Sequence, residues 1–338
     1  MAAPEASRPF ATHLGSLPGE NYPAAVGLVA DSFEQLAVPE LPARGVGAHL
    51  LGRTAALLSG LAVDLQPAGW RLTDHAGADQ RRALALFRRD LDDLEERAHD
   101  RAGTAKLSVA GPWTLAAGLD LPRGELVIAD RGAARELAAS LGEGLSSLVG
   151  ELRRRFPGLT WTLQLDEPSL PAVHAGSVAT SSGYRRHRAV DEAVIGHHLR
   201  LVADAVTAAG ATVALHSCAP GIDLEWLIRG GIDTVALDVG TLTDGDLDAL
   251  SGWIEAGRTV WWGVQPTHQP DRVLGRDALL DGHRRLVRRL GIDPQLVASR
   301  SAFTPACGLA GWSAATVPQV FSNLTWLAET VDEDARQG

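Results

Sequence analysis

The chain has 338 residues, 45% of them hydrophobic, and a formal net charge of -10. That is ample apolar material for one large barrel or two ordinary domains. No apolar run is long enough to span a bilayer, and an acidic chain with dispersed basic residues suits neither nucleic acid nor an anionic membrane.

Its arginine pairs and triplets, Arg81-Arg82 with Arg88-Arg89, Arg153 to Arg155, and Arg284-Arg285 with Arg288-Arg289, fall inside helical patterns. Two cysteines make no disulfide framework, and Met1-Ala2-Ala3-Pro4-Glu5 lacks the charged-then-apolar order of a signal peptide. A cytoplasmic location is the expectation.

In chain order, short apolar runs alternate with longer helical patterns. Strands are expected near Phe10–Leu14, Leu61–Leu65, Lys106–Ala110, Thr160–Leu165, Thr212–Leu215, Thr234–Leu237, Thr259–Gly263 and Leu296–Ser299. Helices are expected over Pro23–Leu36, Asp79–Arg101, Ala133–Phe156, Asp191–Ala209, Asp246–Ala256, Arg276–Leu290 and Ala314–Val331. The second of these sets Leu84, Leu86, Phe87, Leu91 and Leu94 on one face, with charge on the other. Such alternation argues for an α/β fold, a single (β/α)8 barrel over residues 1–338, with a doubly wound open sheet as the competitor. The stretch Ala172 to Tyr184 has no clear period and reads as a βα loop.

Barrel active sites sit at the strand C-terminal ends, so the residues there carry the functional question. After the first strand, Gly15 permits close backbone approach and Ser16 offers a hydroxyl and an amide; a turn with a helix cap is the plainer reading. After the third, Trp113 in Gly111-Pro112-Trp113-Thr114 can seat a flat ligand or simply begin a helix. After the fourth, Gln164-Leu165-Asp166-Glu167-Pro168 presents two adjacent carboxylates, able to hold an amino group or move a proton. After the fifth come His216 and Cys218; strand side chains repeat every two residues, so both leave on the same side. Imidazole and thiolate are ligands zinc prefers, although a lone pair of this kind is more often a core histidine beside a small buried thiol. Asp238 follows the sixth strand as a possible oxygen ligand or a solvated acid. His268, on a loop stiffened by Pro266 and Pro270, follows the seventh; its ordinary pKa near ~6.5 suits proton transfer, and a surface histidine is the alternative. Cys307 follows the eighth.

In a closed barrel these ends share one mouth. His216, Cys218, Asp238 and Cys307 then read as one set of zinc ligands, drawn from three strand ends rather than from a Cys-x-x-Cys clamp. Two thiolates and a carboxylate make zinc a weak Lewis acid but leave a bound thiolate electron-rich. The chemistry that fits is alkyl transfer to a thiol.

On these residues the sequence resembles the cobalamin-independent methionine synthase family, specifically its C-terminal catalytic barrel. The carriers are His216-Ser217-Cys218, Asp238 at the family's glutamate position, and Pro305-Ala306-Cys307-Gly308-Leu309. Leu14-Gly15-Ser16-Leu17-Pro18, Gln164 to Pro168 and Gly263-Val264-Gln265-Pro266-Thr267-His268 support them. The resemblance implies Zn2+ held by His216, Cys218, Asp238 and Cys307, homocysteine bound by Gly15, Ser16 and Asp166, and His268 as proton donor. It also shows departures. The family glutamate that holds the homocysteine amino group falls near Ala68-Gly69, where there is no acid. The tryptophan that stacks the folate falls near Gly118, and an acid six residues after Asp166 is Ala172. The family's separate N-terminal barrel is missing, so a methyl-corrinoid protein stands beside methylfolate as donor. Competing readings are a zinc alkyltransferase with another acceptor thiol, a metal-free uroporphyrinogen decarboxylase-like barrel with arginines at its mouth, and a metal-binding protein without turnover.

Overall fold

The apolar runs at Lys106, Thr160, Thr212, Thr234 and Thr259 form strands buried on both faces, as parallel strands between helices and a closed interior must be. In the computed structural model, which describes residues 8–337, ten strands follow in chain order. They are β1 (Phe10–Ala11), β2 (Leu36–Ala37), β3 (Ala62–Gln66), β4 (Gly69–Thr73), β5 (Gly103–Ala110), β6 (Leu159–Asp166), β7 (Thr212–Ser217), β8 (Thr234–Asp238), β9 (Thr259–Gln265) and β10 (Ser301–Pro305). Eight are parallel neighbours in the order β1-β10-β9-β8-β7-β6-β5-β2. The seam between β1 and β2 is bridged beyond their C-terminal ends. There the Glu40 amide donates to the Gly15 carbonyl at 2.7 Å, and the Leu17 amide donates to the Glu40 carbonyl at 2.8 Å. The architecture is a (β/α)8 barrel, as the alternation predicts. The Met1–Glu5 stretch read for a targeting signal lies outside the described residues.

Two expected strands are misplaced, each for a local reason. Leu61–Leu65 belongs to an antiparallel hairpin, β3 with β4, that stands apart from the barrel sheet. The second barrel strand is the short β2, which sequence reading buried in the end of a helix. That helix stops at Ser32, where Phe33 turns extended. Val38 precedes Pro39, and a residue before proline is driven out of the helical region. Leu296–Ser299 is helical: Asp293 caps the turn by accepting from the Gln295 amide at 2.9 Å, and Pro294 occupies the first helical position. The eighth barrel strand begins just beyond, at Ser301. The C-terminal helix runs Val317–Gln337, starting later than expected.

The long helices cover the sheet as their patterns predict. Arg131–Arg155 is capped by Asp130 and buries Leu137, Leu141, Leu145, Leu148 and Leu152 at three-to-four spacing. Truncating one of these leucines to alanine costs about 2–5 kcal/mol. Ala78–Ala98 buries Phe87, Leu91 and Leu94, leaving Leu84 and Leu86 at the margin. No helix among the described residues is long and apolar enough to cross a membrane.

The barrel interior is small and mixed. Phe10, Ala302, Trp261, Ala236, His216 and Asp166 lie in one register row across six strands. Leu14, Ala214, Ala236, Trp261 and Ala302 form a small apolar cluster of their own, three of its members in the same row as His216 and Asp166.

Candidate metal centre

His216 faces the barrel interior near the end of β7, opposite Asp166 on β6. Its Nδ1 lies 2.7 Å from Asp166 Oδ1. An ionised carboxylate only accepts, so Nδ1 carries the proton and Nε2 is left as the outward donor atom. Nε2 is buried and has no hydrogen-bond partner among the described residues. Burial alone would lower the His216 pKa, but the hydrogen bond and charge of Asp166, the charge of Cys218 and the backbone of Ala306 outweigh it, and the net shift is upward. Nε2 is thus a buried donor atom that no protein side chain occupies, available to an ion.

Cys218 follows β7 and Cys307 follows β10. The Cys307 thiol donates to Cys218 Sγ at 3.2 Å, and both are free. That hydrogen bond holds the Cys218 thiol below its ordinary range and pushes Cys307 upward, so one proton is retained between them. The ligating atoms of His216, Cys218 and Cys307 all lie within 4.8 Å of one another. An imidazole nitrogen backed by a carboxylate, together with two soft sulfurs, is the donor chemistry zinc takes.

The other expected site residues divide. Ser16 joins the cluster's rim: a Cβ placed on Gly308 would fall 1.7 Å from Ser16 Oγ, and the Leu309 amide donates to the Ser16 carbonyl at 2.8 Å. The glycine after Cys307 is therefore the space in which Ser16 sits. Gly15 has φ +102, and a Cβ there would meet Ser108 Oγ at 2.8 Å, so this turn needs glycine. Asp238 is not brought to the cluster. Its carboxylate accepts from the Gly240 amide at 2.8 Å and caps a short 3-10 turn. Glu167 is turned away from the mouth, fully buried. It accepts from the Trp113 amide at 2.9 Å and from the Thr114 amide and hydroxyl at 2.7 Å each, capping the helix Pro112–Gly118. Burial raises its pKa to about 7 against those three donors. Trp113 is 2% exposed and stacks on His198, so it presents no open face to a ligand at the mouth. His268 is exposed on the loop after β9, and no side-chain bond ties it to the cluster. Gln265 holds that loop through the carbonyls of Pro266 and Arg272 and the Leu274 amide.

Three further polar residues belong to the site. Gln164 Nε2 donates to Asp166 Oδ1 at 2.8 Å, and Lys106 Nζ donates to Gln164 Oε1 at 2.7 Å. Lys106, Gln164, Asp166 and His216 form one buried chain ending at the unpartnered Nε2. Burial lowers the Lys106 pKa to about 7, with Asp166 opposing. The signals were a lysine inside a buried strand and a glutamine two residues before Asp166, on the same strand face. Glu40 is the third. It sits beside Ser16 across the seam, 6% exposed, with Arg53 at 3.5 Å. Burial raises its pKa to about 7; Arg53 opposes this and the nearby Asp166 adds to it. Arg53 is itself buried and engaged by Glu40.

No protein-family model matches the sequence, and no curated protein matches it. Among solved structures, the chain is similar to a B12-independent methionine synthase from Shewanella sp. W3-18-1 in complex with selenomethionine. The TM-score is 0.64 at 15% identity, over 98% of this chain and 100% of that one. A weaker likeness reaches a β-mannanase from the blue mussel Mytilus edulis, with TM-score 0.47 and 9% identity over 94% of this chain and 92% of that one. At such identities the likeness establishes the barrel fold, which hosts many chemistries.

Proposed function

We propose that the protein is a zinc-dependent methyltransferase that binds homocysteine as its acceptor thiol and methylates it to methionine. One observation carries the reading: an unpartnered imidazole nitrogen and two thiols, from the ends of β7 and β10, converge at one point in the barrel mouth. The methionine synthase neighbour is consistent with it.

His216, Cys218 and Cys307 would hold the ion, leaving one position for a substrate sulfur. When bound, zinc supplies a thiolate at neutral pH, where a free thiol is only a few per cent ionised. Asp166 fixes the His216 ring and tautomer, and Gln164 and Lys106 fix Asp166. The backbone at Gly15 and Ser16 offers hydrogen bonds to the amino-acid carboxylate. Glu40, buried beside Ser16 and near Asp166, supplies the acid for the amino group in place of the one missing at Ala68-Gly69. His268, on the exposed loop above, takes the role of proton donor to the departing carrier. The methyl donor is a methyl-corrinoid protein or a methylfolate.

The test is methionine formation from homocysteine with each donor in turn, on zinc-loaded protein. Wild type is expected to turn over with one donor, and Cys218→Ser and Cys307→Ser to lose activity. Full activity in either variant overturns the reading.

A further inference from the structure

A second concave site lies off the barrel mouth, between the start of helix Arg131–Arg155 and the loop before helix Glu192–Ala208. It is a cavity of about 500 Å³ whose lining includes Arg131, Arg186, Arg188, Asp191, Trp113 and His198. The metal centre contributes none of these residues. In a chain of net charge -10, three arginines around one cavity form a local reversal of sign. None of the three makes an ion pair or a side-chain hydrogen bond among the described residues. Asp191 is the acid in this lining, and its side chain makes no cap hydrogen bond to its helix.

The arginines are presented by a braced loop. The Thr180 amide donates to the Arg185 carbonyl at 3.0 Å, the His187 amide to Val178 at 2.8 Å, and the Val190 amide to Val173 at 3.3 Å. Gly176, at φ +65, passes so close that a Cβ would meet the Ala189 amide at 2.7 Å. Arg186, bridged to Ala179, and Arg188, two residues on, both line the cavity. The floor is aromatic: the Trp113 and His198 rings, 2% and 4% exposed, stack on each other at 4.6 Å with 5° between their planes and turn only an apolar edge to the cavity. His198 is held neutral by burial first, then by His197 and Arg135, its pKa lowered to about 4, so this floor adds no charge.

We propose that this cavity binds a small organic anion, its carboxylate or phosphate groups facing Arg131, Arg186 and Arg188 and its apolar body over the Trp113–His198 edge. A guanidinium fork matches either anion in two-point contact, and the volume is that of small-ligand clefts. The inference stands independently of the metal reading.

The test is calorimetric titration of wild-type protein with four probes at low ionic strength. Adenosine 5′-monophosphate joins an aromatic body to a phosphate, and N-benzoyl-glutamate joins one to two carboxylates. Inorganic phosphate and benzoate carry less of the same chemistry. One of the first two is expected to bind about tenfold or more tighter than either control, and which one identifies the anion as phosphate or carboxylate. The double variant Arg186→Ala/Arg188→Ala should weaken that binding about tenfold or more. The control pair Arg88→Ala/Arg89→Ala, also exposed but on the helix Ala78–Ala98, should leave it unchanged. All four arginines are at the surface, so both variants should fold. The proposal is overturned if neither aromatic probe outbinds the controls, or if both double variants bind alike.

Discussion

Replacing Asp166 with asparagine removes the charge behind His216 while keeping a side chain of the same shape. An asparagine oxygen can still accept from His216 Nδ1 and from Gln164 Nε2, now at 2.7 and 2.8 Å. What is lost is charge assistance. A bond to a charged group contributes about 1.5–3 kcal/mol and a neutral one about 0.5–1.5, so the loss is near 1–1.5 kcal/mol. That corresponds to about tenfold in zinc affinity, at the lower edge of the 10–100-fold found when the partner behind a metal-bound imidazole is altered. Asp166→Ala should do more, because it leaves Nδ1 of His216 and Nε2 of Gln164 as buried donors without acceptors, at about 1–3 kcal/mol each. Competition against a chromophoric zinc chelator measures the affinities, and urea unfolding measures the stabilities. Zinc binding by the asparagine variant within about twofold of wild type would refute the claim that Asp166 orients a metal ligand.

Glu167→Ala should destabilise the protein by about 3 kcal/mol or more, since it strands the Trp113 amide and both Thr114 donors. Zinc affinity should be unchanged; a selective loss of zinc or homocysteine binding in a fully stable variant would return Glu167 to the site. Gly308→Ala places a methyl on Ser16 Oγ, whereas Gly311 has nothing within 4 Å of its Cβ position. The first should lose homocysteine binding and weaken zinc, the second should match wild type, and equal behaviour in binding assays would count against the Ser16–Cys307 packing. Acid stability follows from His13, His198 and His283, whose pKa values burial lowers to about 3, 4 and 4. Each lies below the unfolded value of ~6.5, so the unfolded chain binds more protons and stability falls as pH drops below ~6.5. Glu40 and Glu167, raised to about 7, take up protons in the folded state over nearly the same window and offset two of the three. The net is about one proton, or ~1.4 kcal/mol lost per pH unit between roughly 6.5 and 4.5. Urea unfolding at three pH values reads that slope, and a rise in stability on acidification would contradict it.

The parts of the fold that were legible in the sequence are those where periodicity is long or burial complete. The five central strands, β5 to β9, read as continuous apolar runs, and the long helices as three-to-four patterns. What failed was short. β2 has two residues, too few for a period, and its loss shifted the search for an acid onto Ala68-Gly69 in the hairpin. Once β2 is placed, Glu40 falls at the mouth without further argument. The convergence of His216, Cys218 and Cys307 was legible because the chain holds only two cysteines and both follow strand ends. Asp238 and Glu167 lie away from the cluster as caps, because an acid at a strand end serves equally well as a helix cap and the direction of a carboxylate is not written in its position. Trp113 follows the same logic: a tryptophan after a strand can face the mouth or the neighbouring helix, and here it stacks on His198 of that helix.

The central claim is that a substrate thiol completes a site made by His216, Cys218 and Cys307. Zinc-edge X-ray absorption on zinc-loaded protein, with and without homocysteine, addresses it most directly. The account predicts two sulfur neighbours rising to three when homocysteine is added. Two sulfurs unchanged would contradict homocysteine as the acceptor, and protein that takes up no zinc would contradict the metal centre itself.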